Sequence, residues 1–259
     1  NSAARKRKLI LSKFTEDQAI LLNDDVTLNV FDPATSKMVR PNDRPDLFRD
    51  HLKRFLQVIT SGEFKGAALH DRMFSKQLLD KLQDSPGLNR YLKRSCFIGA
   101  FFWIDKELCR SSDFKLGRLN YYEDIDYSLQ ILSLGYDTAA YAGMVFSHPN
   151  TKPTRQHSDR TKEVQDRDRE RLISFFPESV TKRPPEKLRE DLNIDIYVRY
   201  SQAKKRSLGD KTPEKKPLFD VPEGKPRLLI RGEKPVRSVC FVCHGNLNRS
   251  AAAQLMLQR

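Results

Sequence analysis

The sequence predicts an α/β fold, a mixed sheet with flanking helices, and three observations carry that expectation. Ala19-Ile20-Leu21-Leu22 is an unbroken apolar run that passes directly into Asn23-Asp24-Asp25-Val26, the pattern of a buried strand with a polar turn at its carboxyl end. Residues 96–104, Cys-Phe-Ile-Gly-Ala-Phe-Phe-Trp-Ile, form a second apolar run of strand length with Gly99 inside it. A helical stretch from Asp124 to Leu134 closes on Gly135, a natural left-handed cap, and the strand Thr138 to Phe146 follows at once.

The remaining elements follow in chain order. Arg7 to Phe14 has helical spacing and precedes the first strand across a short turn. Pro33 and the stretch Pro41 to Pro45 mark loops. Asp46 to Ile59 places Leu47, Phe48, Leu52, Phe55, Leu56 and Ile59 at helical intervals. Residues 150–172 are dense in charge, including Arg167-Asp168-Arg169-Glu170-Arg171. With Leu172, Ile173, Phe175 and Phe176 as an apolar face, they read as a helix whose charges are mostly a solvated side. Lys, Arg, Pro and Gly dominate 203–235, the composition of an inter-domain linker, and a new strand from Val236 leads into Cys243.

The bulk properties narrow the partners. A chain of 259 residues with 38% hydrophobic and 31% charged residues can bury a core under a wet surface, and no stretch approaches the roughly 20 apolar residues of a membrane span. Four cysteines (Cys96, Cys109, Cys240, Cys243) are too few for a disulfide framework, so a reducing, cytoplasmic setting is expected. A net charge of +13 suits nucleic acid, an anionic membrane surface or sugar diphosphates, as well as plain solubility. The opening Asn1-Ser2-Ala3-Ala4-Arg5 has neither an initiator Met nor an apolar signal core, and is expected to begin inside a domain.

Two groups of residues carry candidate chemistry in the first 150 positions. Asn23-Asp24-Asp25 sits where ligands of open α/β sheets bind, and carboxylates there suit hard cations that also hold phosphate oxygens. Asn-Asp-Asp is also ordinary turn chemistry. Glu123-Asp124-Ile125-Asp126, after Tyr121-Tyr122, puts three acids in one helical turn; the macrodipole accounts for one or two, and a third supplies a candidate general base. His148 ends the following strand.

The order of these pieces resembles the GT-A glycosyltransferases of the family-two type. The resemblance lies in Ser2-Ala3-Ala4-Arg5 before a helix, Leu21 to Val26, Ile98-Gly99-Ala100-Phe101-Phe102 with Asp105-Lys106-Glu107-Leu108, Glu123 to Tyr127, Gly135-Tyr136, and Val145 to His148, over about residues 2–150. It implies a GT-A domain over 1–202, truncated at its N-terminus so that the base-binding strands lie upstream. The implied metal ligands are Asp25, Asn23 and His148 for a Mn or Mg ion, with Asp24 supporting. The implied catalytic residues are Asp124, the base of an inverting transfer, and Glu123. Arg5, Asp24, Gly99 and Asp126 would bind a nucleotide-sugar donor or the acceptor, Asp126 alternatively serving as a helix cap. Asn23 stands where the family more commonly has Asp, which makes the metal site less anionic. Thr154-Arg155, Leu172 to Val180 and Tyr197 to Lys204 are similar to phage-type DNA glycosyltransferases acting on hydroxymethylated pyrimidines, which implies DNA as an acceptor; a glycan or a lipid-linked sugar competes.

A second constellation lies at 236–259. Cys243-His244-Gly245-Asn246-Leu247-Asn248-Arg249-Ser250 follows the strand Val236 to Val242 and opens a helix, an arrangement that cradles a phosphate beside a thiolate. It resembles the opening of low-molecular-weight protein tyrosine phosphatases, departing at Asn248, where the family often has Cys. By that resemblance Cys243 is the nucleophile, Arg249 binds phosphate oxygens, and Gly245, Asn246 and Ser250 shape the cradle, while the acid Asp is expected downstream of Arg259. Cys240-Phe241-Val242-Cys243 also reads as a CxxC, but zinc requires two further ligands and a redox pair would sit at a helix start.

Overall fold

The computed structural model describes residues 3–14, 18–23, 26–147, 161–187, 195–208 and 239–243. In chain order the elements are α1 (Ala3–Lys13), β1 (Gln18–Leu22), β2 (Thr27–Asp32), β3 (Lys37–Val39), α2 (Pro45–Thr60), β4 (Phe64–Asp71), α3 (Arg72–Leu82), β5 (Leu92–Arg94), β6 (Phe101–Ile104), α4 (Lys106–Arg110), α5 (Glu123–Ser133), β7 (Asp137–Ser147), α6 (Lys162–Phe175), β8 (Val180–Lys182), β9 (Ile196–Val198), α7 (Tyr200–Leu208) and β10 (Val239–Cys243). The expected α/β class, with a mixed sheet and flanking helices, is what the chain forms.

The main sheet runs β10-β1-β6-β4-β7-β2-β3, with β5 pairing the first half of β7. β1 is parallel to β10 and β4 to β7, whereas β6 is antiparallel to both β1 and β4. The carboxyl ends of β1, β4, β7 and β10 therefore share one edge, and the starts of β6 and β2 lie on it too. Alternation along each strand splits the core between two faces. Ile20, Ala67, Leu69, Phe101, Trp103 and Tyr141 face α2, whose Phe48, Leu52, Phe55 and Ile59 are buried. Ala19, Leu21, Ala68, Phe102 and Ile104 face α1, α4 and α5 through Leu11, Leu108, Tyr127 and Ile131.

The outer side of α5 is covered as well. Leu129 and Leu132 pack with Leu172 and Phe176 of α6, Val180 of β8, Ile196 of β9 and Ala203 of α7. Gly135 ends α5 at φ 89°, the expected left-handed cap.

Two sequence expectations are corrected below, both on where the first domain ends. Pro33 lies in a turn, as expected, and that turn joins β2 and β3 in a hairpin. The charges of α6 are mostly on its exposed side, as expected, but Asp168 is fully buried and accepts the Asn120 and Tyr121 amides at 2.7 and 2.9 Å. Arg169, also buried, binds Asp166 and Asp195. The domain boundary at 202 falls inside α7, where Ala203 is buried and Lys204 pairs with Asp137. The strand expected to open a separate domain, now β10, lies in the first sheet beside β1.

The buried His51 of α2 gives the fold a pH signature. A carbonyl only accepts, so Nε2–H donates to the Phe31 carbonyl at 2.8 Å and Nδ1 accepts the Tyr141 hydroxyl at 2.6 Å. Burial lowers its pKa from 6.5 to about 4. Between those values the unfolded chain takes up a proton that the folded chain refuses, so stability falls as pH drops. The expected loss between pH 7 and pH 4 is roughly 3 kcal/mol from this group. Urea unfolding at both pH values should show a correspondingly shallower loss in His51→Gln.

Candidate functional site

The site forms where β1 ends, β6 begins and α5 starts. The Asn23 amide, just past β1, donates to the Ala100 carbonyl at 2.8 Å, extending the β1–β6 pairing to the edge. Ala100 itself has φ 59°, and the Phe101 amide reaches back to the Gly99 carbonyl at 2.7 Å, a three-residue turn of the strained kind. Tyr122, the residue before α5, is also left-handed at φ 61°. Two non-glycine residues in that region at one edge are a marker of a constrained site.

Arg7 of α1 joins the pieces. Its Nη1 donates to Glu123 Oε1 at 2.7 Å and its Nη2 to Asn23 Oδ1 at 2.6 Å, while the guanidinium lies 5.3 Å from the Phe102 ring centroid. Glu123 is buried. Arg5, the arginine expected to bind donor or acceptor, is exposed on α1; the arginine that joins Asn23 to Glu123 is Arg7. The signal available was the helical turn itself, since a residue flanking the apolar positions Ile10 and Leu11 has to face the sheet.

Asp124 is half-buried at the first turn of α5, where the helix dipole favours an anion. Its Oδ1 accepts the Ile125 amide at 2.9 Å, and no ion pair to a described residue engages it. A Cβ at Gly99 would stand 3.1 Å from Asp124 Oδ2 and 2.2 Å from Phe97 Cζ, so the glycine is what allows ring, backbone and carboxylate to meet. Tyr200, opening α7, lies against the Phe97 ring with centroids 6.4 Å apart. Burial first, then the Asp124 charge, raises the Tyr200 pKa well above its ordinary value.

Asp126 is engaged elsewhere. It is fully buried, chelated by Arg118 through Nε at 2.9 and 3.0 Å and bound by Gln130 at 2.9 Å, so it serves the fold and is neither the expected substrate contact nor the alternative helix cap. Burial raises its pKa against the opposing pull of Arg118.

Asp24, Asp25, His148, Gly245, Asn246, Arg249 and Ser250 lie outside the described residues. Their strands are informative nonetheless. Asp24 follows Asn23 at the end of β1, and Cys243 ends β10 level with Leu22 in the neighbouring strand. β7, which leads to His148, stands three strands from β1, a separation of roughly 14 Å. His70 of β4 lies between them, buried, with Nδ1 3.0 Å from the Asp71 carbonyl; burial lowers its pKa. Among the described residues no group of three His, Cys, Asp or Glu side chains could hold a metal. Those at the edge, the Asn23 amide and the Asp124 carboxylate, offer hard oxygens of the kind Mg and Mn prefer, although Asn23 Oδ1 is already taken by Arg7.

Comparison with protein-family models, curated proteins and solved structures finds no match. No helix among the described residues is long and apolar enough to cross a membrane.

The Arg7–Glu123 pair can be tested directly. Arg7→Leu should cost about 3 kcal/mol of folding stability, because it withdraws a cation from a buried carboxylate. Glu123→Gln in the same background should recover part of the loss. A double-mutant cycle from urea midpoints is expected to give a coupling of about 1–3 kcal/mol.

Proposed function

We propose that this chain transfers a sugar from a nucleotide-sugar donor to an acceptor hydroxyl in a metal-dependent, inverting reaction on a GT-A-type sheet. The observation that supports it best is the Arg7 bridge between Asn23 and Glu123, which brings the end of β1 and the start of α5 together with Asp124 half-exposed beside Gly99. Asp124 is the base. Its carboxylate is fixed at one oxygen by the helix amide and takes the acceptor hydroxyl's proton as that oxygen attacks the anomeric carbon. Arg7 holds Glu123 and Asn23 in place and so sets the angle at which α5 presents Asp124. Asp25, with Asp24 and Asn23 beside it, would hold the divalent cation, which when bound neutralises charge on the leaving diphosphate. The acceptor suggested by the net charge of +13 is a polyanion, DNA first.

Phosphocysteine chemistry at Cys243 is a second reading, favoured by the position of Cys243 at the carboxyl end of a strand, where a phosphate cradle would begin. Alkylation by iodoacetate at pH 6 at the rate of an ordinary thiol would remove it.

For the first reading, cleavage of nucleotide sugars should be followed by release of nucleoside diphosphate with and without Mn and acceptor DNA. Asp124→Asn is expected to lower acceptor-dependent turnover by about 10²–10⁴-fold with an unchanged unfolding midpoint. Chelation by EDTA should abolish turnover, and added Mn should restore it. Equal rates for Asp124→Asn and the unaltered chain would sink the assignment of the base.

A further inference from the structure

We propose that Phe97 is the platform on which a nucleobase of the acceptor strand stacks, with Tyr200 closing one side. The idea rests on the glycosyl-transfer reading for why a ring should lie beside Asp124, but the stacking can be tested without turnover. Phe97 is 37% exposed, although it sits among buried neighbours at the mouth of the site. Its ring edge and the Asp124 carboxylate both reach the space where a Gly99 side chain would project. The sequence therefore keeps a part-exposed aromatic ring next to the carboxylate and has no side chain at position 99 to separate them. A group stacked on that face presents its substituents to Asp124 Oδ2.

Flat rings of either a nucleobase or a sugar can use an aromatic face, and charge decides between them. The elements that supply Arg7 and Tyr200 also carry exposed cations, Lys6 and Lys8 on α1 and Arg199 immediately before Tyr200, on a chain of net charge +13. A neutral glycan gains nothing from them, whereas a phosphodiester strand releases counterions at each contact. Tyr200 packs against Phe97 with ring centroids 6.4 Å apart and so limits how that ring can turn.

The experiment compares fluorescein-labelled single-stranded oligo(dT) with an abasic oligonucleotide of equal length and charge, by anisotropy over a range of salt. The unaltered chain should bind oligo(dT) about tenfold more tightly than the abasic strand. Phe97→Ala and Phe97→Leu should both lose that preference, the second keeping apolar volume without a flat face, and Phe97→Tyr should restore it. The salt slope should be the same in all four proteins, since the phosphate contacts are untouched. Equal affinity of the unaltered chain for both strands, or a preference that survives Phe97→Ala, overturns the proposal. A preference that depends on Phe97 in a protein that cleaves no nucleotide sugar supports the platform and removes the transfer reading alone.

Discussion

The guanidinium of Arg7, shared between the Asn23 amide and the Glu123 carboxylate, is the contact on which the arrangement of this sheet edge depends. Its partners are 16 and 116 residues away in sequence, so it closes two loops of very different length with one planar group. A lysine could satisfy one partner at a time, but the fork of an arginine holds two at fixed angles. The face of the same group rests on Phe102, which removes water from one side and strengthens both contacts. Because α5 enters the site at Glu123, the next residue, Asp124, inherits that orientation.

A second constraint fixes α5 from behind. Asp168 of α6 binds the amides of Asn120 and Tyr121 directly before the helix, and the Tyr122 hydroxyl donates to Asp195, which Arg169 also holds. Gln165 donates to the same hydroxyl at 3.1 Å. Tyr122 can remain left-handed because its ring and hydroxyl are over-determined by these partners. The small β8–β9 pair and α7 complete that layer and bring Tyr200 to the rim.

What the sequence made legible follows from how local each signal is. β1, β7, α2 and α5 are readable because an unbroken apolar run or a helical period reports burial directly, and Gly135 reports its own conformation, whereas of the apolar run 96–104 only the second half is strand, β6, because the chain turns at Ala100. The hairpin of β2 and β3 was obscured by Pro33, which sits in its turn and suits it. α6 looked solvated because charge density hides pairing: nothing local distinguishes Asp168, with its amide donors about 48 residues away, from the exposed Glu170. Arg7 escapes a sequence reading for the same reason, as the four consecutive basic residues Arg5 to Lys8 differ only in which face of the helix they occupy. The joining of β10 to β1 is a pairing between chain ends, which no local pattern encodes.

The three acids of one helical turn show how the fold assigns different tasks to similar groups. Glu123 and Asp126 are both buried, and each is given an arginine, from α1 and from the loop before α5 respectively. A buried carboxylate held by a guanidinium is a structural fastener: its charge is already compensated, and moving a proton onto it would break the pair. Asp124, between them, is half-buried and accepts the amide of the next residue, with no arginine among the described residues paired to it. Ile125 and Tyr127 anchor the intervening faces in two separate cores, so the helix cannot rotate to exchange these positions. Helical geometry therefore decides which of the three acids goes without an arginine among the described residues, and its two neighbours hold the turn that presents it.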